Sequence, residues 1–248
     1  SHELLHLLML LRGFPQIFFQ LSLGDRELDE QMMIMSTDLY NVAMHRVVVA
    51  EQRKHGFIND RVEEEYLKGV EHTLTPESED NDERALRLLT LLDALVFFGD
   101  HLAKYEEQLQ NNYPKALAAA KKIYAEITKK PIKNAFDMWR SIVKIYSLYD
   151  QQMEEWGLPA LNNDKFTTLS PVLSERQLRL EVRQVFEIFN SGMKDRKTGK
   201  PAYVGLRRNI GQNSFTTAKH SPEEFKQIYD QPVKEFLEQN HIPYIIRK

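Results

Sequence analysis

The chain has 248 residues, 42% hydrophobic and 28% charged, with a formal net charge of −3. That balance excludes a disordered chain, and the weak acidity gives no global reason to expect nucleic acid or an anionic membrane as a partner. Cysteine is absent, which excludes disulfides, thiolate nucleophiles and Cys-ligated zinc and fits a reducing, cytoplasmic setting.

In chain order, Leu4 to Leu11 is apolar on nearly every side, which predicts a buried helix. The run is too short to cross a bilayer, and without a basic leader or a small-residue cleavage site it does not read as a signal peptide. The chain begins with Ser rather than Met, so a preceding segment is expected. Gly13 and Pro15 stop the first helix. Gln16 to Leu23 suits either strand or helix. A long helix is expected from Asp25 to about His55, with Leu28, Met32, Met35, Leu39, Val42, Ala43, Val49 and Ala50 on one face, interrupted at Arg46. Gly56 suits its C-terminal cap.

A further helix is expected from Asp60 to Leu74, then an acidic loop from Thr75 to Asp82. Glu83 to Gln110 reads as one long helix with Leu88, Leu91, Leu92, Leu95 and Leu102 as its stripe. The next, Lys115 to Lys129, has an Ala-rich face for close packing. Pro131 opens another, which runs to about Trp156 before Gly157 and Pro159. Asn162 to Pro171 reads as a polar connector between a helical domain, 1–161, and a smaller C-terminal helical subdomain, 162–248. Ser174 and Gln177 form a capping box for a helix through Asn190, and Ser221 and Glu224 form one for the last helix. Between them lies a less regular, glycine-containing segment near 191–220. The fold class expected is therefore mainly α, a multi-helix globular domain.

His2, Glu3 and His6 spell H-E-x-x-H. On a helix, positions four apart stack on one face, so both imidazoles reach one ion, and the adjacent glutamate faces the open coordination position. There it can take a proton from a water whose pKa the metal lowers. A histidine pair on so apolar a helix is costly to bury unless ligated or hydrogen-bonded. The string His2-Glu3-Leu4-Leu5-His6-Leu7-Leu8, followed by Arg12-Gly13-Phe14-Pro15, resembles the active-site helix and exit turn of zincin-type metallopeptidases over residues 1–15. The resemblance implies a zinc ion (Zn2+) on His2 and His6, Glu3 as general base, and a peptide or protein substrate. Zincins place a sheet with a substrate-holding edge strand before this helix, and here the motif opens the chain.

Catalytic zinc takes three protein ligands as a rule. His45, between Ala43-Met44 and Val47-Val48-Val49, is the first candidate for the third, ahead of Glu51 and Asp38. Glu3 with His6, and Glu238 with His241, also form two E-x-x-H pairs of the kind a di-iron carboxylate bundle uses, although His241 sits at a helix end before Ile242 and Pro243. Asp93, Asp100, His101 and Lys104 read as one solvated helix face, and His55 beside Glu51 as a C-terminal cation. Lys194, Arg196, Lys197, Lys200, Arg207 and Arg208 cluster as a basic segment, 194–208, whose spacing matches no phosphate-loop motif and reads first as a solvated surface; the alternatives are a grip for phosphate or an acidic partner, or the loop around Glu77 to Glu83 as an intramolecular counterpart. Arg207 and Arg208 are its candidate binding residues. Two functions follow from this reading. One is a zinc-dependent peptidase, or the C-terminal portion of one. The other is a non-enzymatic helical interaction or regulatory module in which H-E-x-x-H is accidental.

Overall fold

The structure is a computed structural model, and it describes residues 2–78 and 83–247. The chain is mainly α. Helix α1 (His2–Leu11) leads through two short strands, β1 (Ile17–Phe18) and β2 (Leu21–Ser22), into the long helix α2 (Arg26–Lys54). Asp25 caps α2 by accepting the Leu28 amide. Asn59 caps α3 (Asp60–Thr73) in the same way. The expected helix from Glu83 to Gln110 is broken: α4 (Arg84–Phe98) ends at Gly99, whose φ of 52° and ψ of −125° no helix accommodates. A 3-10 turn (Gly99–Lys104) and α5 (Glu106–Asn112) follow.

Helix α6 (Pro114–Thr128) has Pro114 in its first turn, and its free amides at Lys115 and Ala116 bond the Glu77 carboxylate at 3.1 and 2.7 Å. The described part of the acidic loop therefore caps a helix rather than facing the basic segment; residues 79–82 lie outside the described residues. Asn134, not Pro131, opens α7 (Ala135–Glu155), with its side chain accepting from Phe136 and Asp137 amides.

These helices enclose the largest core. Leu39, Val42, Leu88, Leu91, Leu92, Ala120, Ile142 and Ile145 are all fully buried there. The α2 stripe is real but shifted, since Leu28 is 45% exposed. Arg46 leaves the stripe to bond the Ser141 hydroxyl and the Lys130 carbonyl.

Beyond α7 the structure departs most from expectation. The connector 162–171 is embedded. It holds α8 (Asn163–Phe166) and β3 (Thr168–Leu169), with Asn163 wholly buried and accepting from Ser36 of α2 at 2.6 Å. After β4 (Val172–Leu173), Ser174 and Gln177 do form a capping box, but on the short α9 (Glu175–Arg179). The backbone leaves the helical region at Leu180 and Glu181, and α10 (Val182–Val185) is followed by strand, not helix.

Strands β5 (Phe186–Asp195), β6 (Pro201–Arg207) and β7 (Asn213–Ala218) form antiparallel hairpins, with β2 added at the β5 edge. The segment expected to be irregular is thus a sheet, and its glycines are turns and bulges. Asp195 folds the first hairpin by accepting the Thr198 amide and hydroxyl, with Gly199 at φ 69° completing it. Helices α11 (Pro222–Asp230) and α12 (Val233–Gln239) cover this sheet, and β8 (Ile245–Ile246) pairs in parallel with β4. The capping box of Ser221 and Glu224 stands as expected.

Gly205 in β6 is needed for space: a Cβ there would meet the Phe215 ring at 2.1 Å. Phe215 is 1% exposed and packs on Phe186 and Phe236. Gly205→Ala is expected to destabilise the fold by about 1–3 kcal/mol through overpacking. Denaturant melts check this, and an unshifted midpoint means the ring moves aside freely.

Candidate metal centre

Helix α1 places its histidines where the spacing demands. The Nε2 atoms of His2 and His6 lie 3.1 Å apart, with ring centroids at 4.7 Å. Pro15, whose carbonyl accepts the Tyr40 hydroxyl at 2.8 Å, ties the turn after α1 to α2. That fold-back lays α1 along α2 and brings His45 to the pair, at centroid distances of 5.0 Å from His2 and 5.4 Å from His6. One nitrogen from each ring lies within 4.8 Å of the others, and all three residues are half-buried. Two nitrogens on one tetrahedral zinc ion are about 3.3 Å apart. The α1 pair already has that spacing, and His45 offers its ligand atom within 4.8 Å of the pair. The donor set fits zinc.

What fixes the rings is as informative as the rings. His45 Nδ1 donates to Asp93 Oδ1 of α4 at 2.6 Å, and the other carboxylate oxygen accepts the Tyr66 hydroxyl of α3 at 2.8 Å. A carboxylate only accepts, so the proton sits on Nδ1 and Nε2 is left for the centre. Tyr66 is held in turn by stacking on Phe97, centroids 3.8 Å apart. Its phenol is pushed well above its usual value by burial and by Asp93, so it remains a donor. His2 Nδ1 has a weaker partner, Gln52 of α2, at 3.4 Å. Burial, and then the neighbouring charges of His2 and His45, hold the His6 imidazole below its ordinary range, with Glu3 opposing. Neutral imidazole is the form that binds metal.

For the zinc centre proposed below, Asp93→Asn is expected to cost ten- to a hundred-fold in zinc affinity, the usual effect of removing a ligand's orienting carboxylate. A competition titration checks it, and unchanged affinity would mean His45 needs no help.

Glu3 is exposed on α1 and makes no hydrogen bond or ion pair among the described residues. Of the three candidates for a third ligand, the structure brings only His45 to the pair. Glu51 is partly exposed and bonds Lys54 and His55. Asp38 lies on the same face of α2 as His45 and lines a cleft of about 170 Å³ with Asn41, Thr90 and Asp93. Burial, then Asp93, raises its carboxyl, with His45 opposing. The second E-x-x-H stays apart from the cluster: His241 has φ 52° past the end of α12, and Glu238 accepts the Tyr244 hydroxyl.

Asp93 and Tyr66 are the functional residues that sequence reasoning missed. The expected face of Asp93, Asp100, His101 and Lys104 is split at Gly99: Asp93 serves His45, whereas His101 and Lys104 pair with buried Glu63. An aspartate inside the leucine run of α4 was the available signal.

The candidate binding residues Arg207 and Arg208 both make contacts within the fold. Arg207 is 6% exposed, donates to the Val172 carbonyl at 2.8 Å and lies over the Trp139 ring, with burial lowering its pKa to about 10. Arg208 is paired with Glu187. Both are engaged by the fold. Helix α1 is also not buried: Leu4, Leu7, Leu8 and Leu11 are 68, 50, 38 and 77% exposed, and only the face carrying Met9 and the histidines packs inward. No helix among the described residues is long and apolar enough to cross a membrane.

Comparison with family models, with curated proteins and with solved structures finds no match to this chain.

Proposed function

We propose that the chain is a zinc-dependent peptidase, or the C-terminal portion of one, with His2, His6 and His45 holding the ion and Glu3 as general base. One observation carries the reading: a third imidazole, from a different helix, stands beside the H-E-x-x-H pair with its Nδ1 fixed on Asp93. A chance motif has no reason to recruit an oriented third ligand. Zinc bound there supplies an acidified water and polarises the scissile carbonyl.

The chain's own residues do the rest. Glu3 takes the proton from the attacking water as its oxygen bonds the carbonyl carbon. It then gives that proton to the leaving amine as the C–N bond breaks. Its exposure on α1 leaves it open to an incoming peptide. Asp93 and Tyr66 fix the tautomer of His45 and orient its ring, so that Nε2 is the atom offered to the ion. The absence of cysteine suits work in a reducing compartment such as the cytoplasm.

The exposed Leu4, Leu7, Leu8 and Leu11 stripe favours the second reading, an interaction module. Elemental analysis with calorimetry at neutral pH separates the two. The peptidase reading expects one zinc per chain, removed by chelator and restored on addition. A protein that takes up no zinc leaves only the interaction module.

A further inference from the structure

A second site, away from the histidines, is built into the outer face of α7. A cleft of about 580 Å³ opens between the end of α6, the following turn, α7 and the tip of the β6–β7 hairpin. That volume lies in the range of small-molecule sites. Its walls are apolar, supplied by Pro131, Trp139, Val143, Leu148 and, at the mouth, Ile210, which is 44% exposed.

The rim is not apolar. Arg46, Lys129, Lys130, Arg140 and Lys144 face two carboxylates, Glu126 and Asp137, in a chain whose overall charge is −3. Glu126 is already shared by Lys129 and Lys144. Asp137 accepts the Lys133 amide at 3.2 Å. Arg46, Lys130 and Arg140 make no ion pair among the described residues.

Arg46 is the telling member. Its guanidinium is half-buried and aimed by two neutral acceptors, Ser141 Oγ at 2.9 Å and the Lys130 carbonyl at 2.8 Å. Those acceptors use two of its five donors and none of its charge. A partly buried cation that is oriented but not neutralised bears a desolvation cost that an anion in the cleft recovers. The planar donor fork suits a carboxylate or phosphate, which it can hold with paired hydrogen bonds.

We propose that this cleft binds an amphipathic anion, its apolar body against the α7 wall and its carboxylate or phosphate head on Arg46, Lys130 and Arg140. The site stands whether or not the histidine cluster holds zinc, so it is tested in chelator.

The probes are octanoate, octyl phosphate, octanol and inorganic phosphate, titrated calorimetrically into the full chain. At least one of the two amphipathic anions is expected to bind with one-to-one stoichiometry, and whichever does so identifies the head group. Octanol and inorganic phosphate should each bind at least about tenfold more weakly, because each lacks half of the recognition, and a charged hydrogen bond alone contributes about that factor. In a Trp156→Phe background Trp139 is the only tryptophan, and its emission should shift on binding.

Lys130→Glu and Arg140→Glu alter exposed side chains and leave the Lys130 carbonyl in place, so both variants should fold, as circular dichroism will show. Each should weaken anion binding about tenfold or more. Lys197→Glu, on the first hairpin turn, should leave it unchanged. Octanol or inorganic phosphate binding as tightly as the tighter of the two amphipathic anions, absence of binding by both amphipathic anions, or folded charge-reversal variants of wild-type affinity would each overturn the proposal.

Discussion

His6→Ala is expected to lower zinc affinity by about two to three orders of magnitude. Structural zinc sites with four ligands reach roughly 10–16 kcal/mol at neutral pH, so one ligand carries about 3–4 kcal/mol of it. His6 is the informative candidate ligand to remove because its helix has one face in solvent and, among the described residues, its ring hydrogen-bonds only His2. Its loss should leave the apoprotein nearly as stable as before. His45→Ala should lose as much zinc affinity and also destabilise the apoprotein, since Asp93 would keep Tyr66 but lose its imidazole partner. Thermal melts with and without zinc separate the two effects. In the wild type, free zinc at about a hundred times its dissociation constant should add about 2.7 kcal/mol to stability, and in both variants the same zinc should add about 0.4 kcal/mol or less. A His6→Ala protein that still binds zinc with wild-type affinity would remove the α1 pair from the centre.

The helical frame was legible because its signals are local. Asp25, Asn59 and Ser221 mark helix starts by their own side-chain chemistry, and the leucines of α4 repeat at helical spacing. The histidine cluster was legible for a similar reason: four-residue spacing on α1 is a property of one helix, and His45 stood out against its apolar neighbours.

Asp93 and Tyr66 were not legible as its supports, because what joins them to His45 is the packing of α3 and α4 against α2. Read along α4 alone, Asp93 belonged with Asp100 and His101, and only the break at Gly99 separates them. The sheet was hidden differently. A genuine capping box at Ser174 promised a helix whose length the cap cannot specify, and β5 to β7 do not alternate regularly between buried and exposed positions, so they carry no clear period of two. Leu4, Leu7, Leu8 and Leu11 misled by composition: an apolar residue reports what burial would gain, not whether the fold supplies a neighbour.

Glu3→Gln should divide binding from chemistry. Gln keeps the length and shape of Glu3 but accepts no proton at neutral pH, and Glu3 has no hydrogen bond or ion pair among the described residues to lose. The variant should therefore retain one zinc per chain and the melting behaviour of the wild type. Its turnover of a quenched fluorescent peptide library should fall by a factor of about 10²–10⁴, the usual contribution of a positioned general base. KM should change little, because a base that acts on the attacking water makes its contribution in the transition state rather than in substrate binding. Asp93→Asn should show the opposite division, with zinc affinity reduced and turnover per bound zinc largely kept, since Asp93 acts through His45. Full peptidase activity in zinc-loaded Glu3→Gln would take the general-base role from Glu3 and with it the mechanism proposed for the H-E-x-x-H helix.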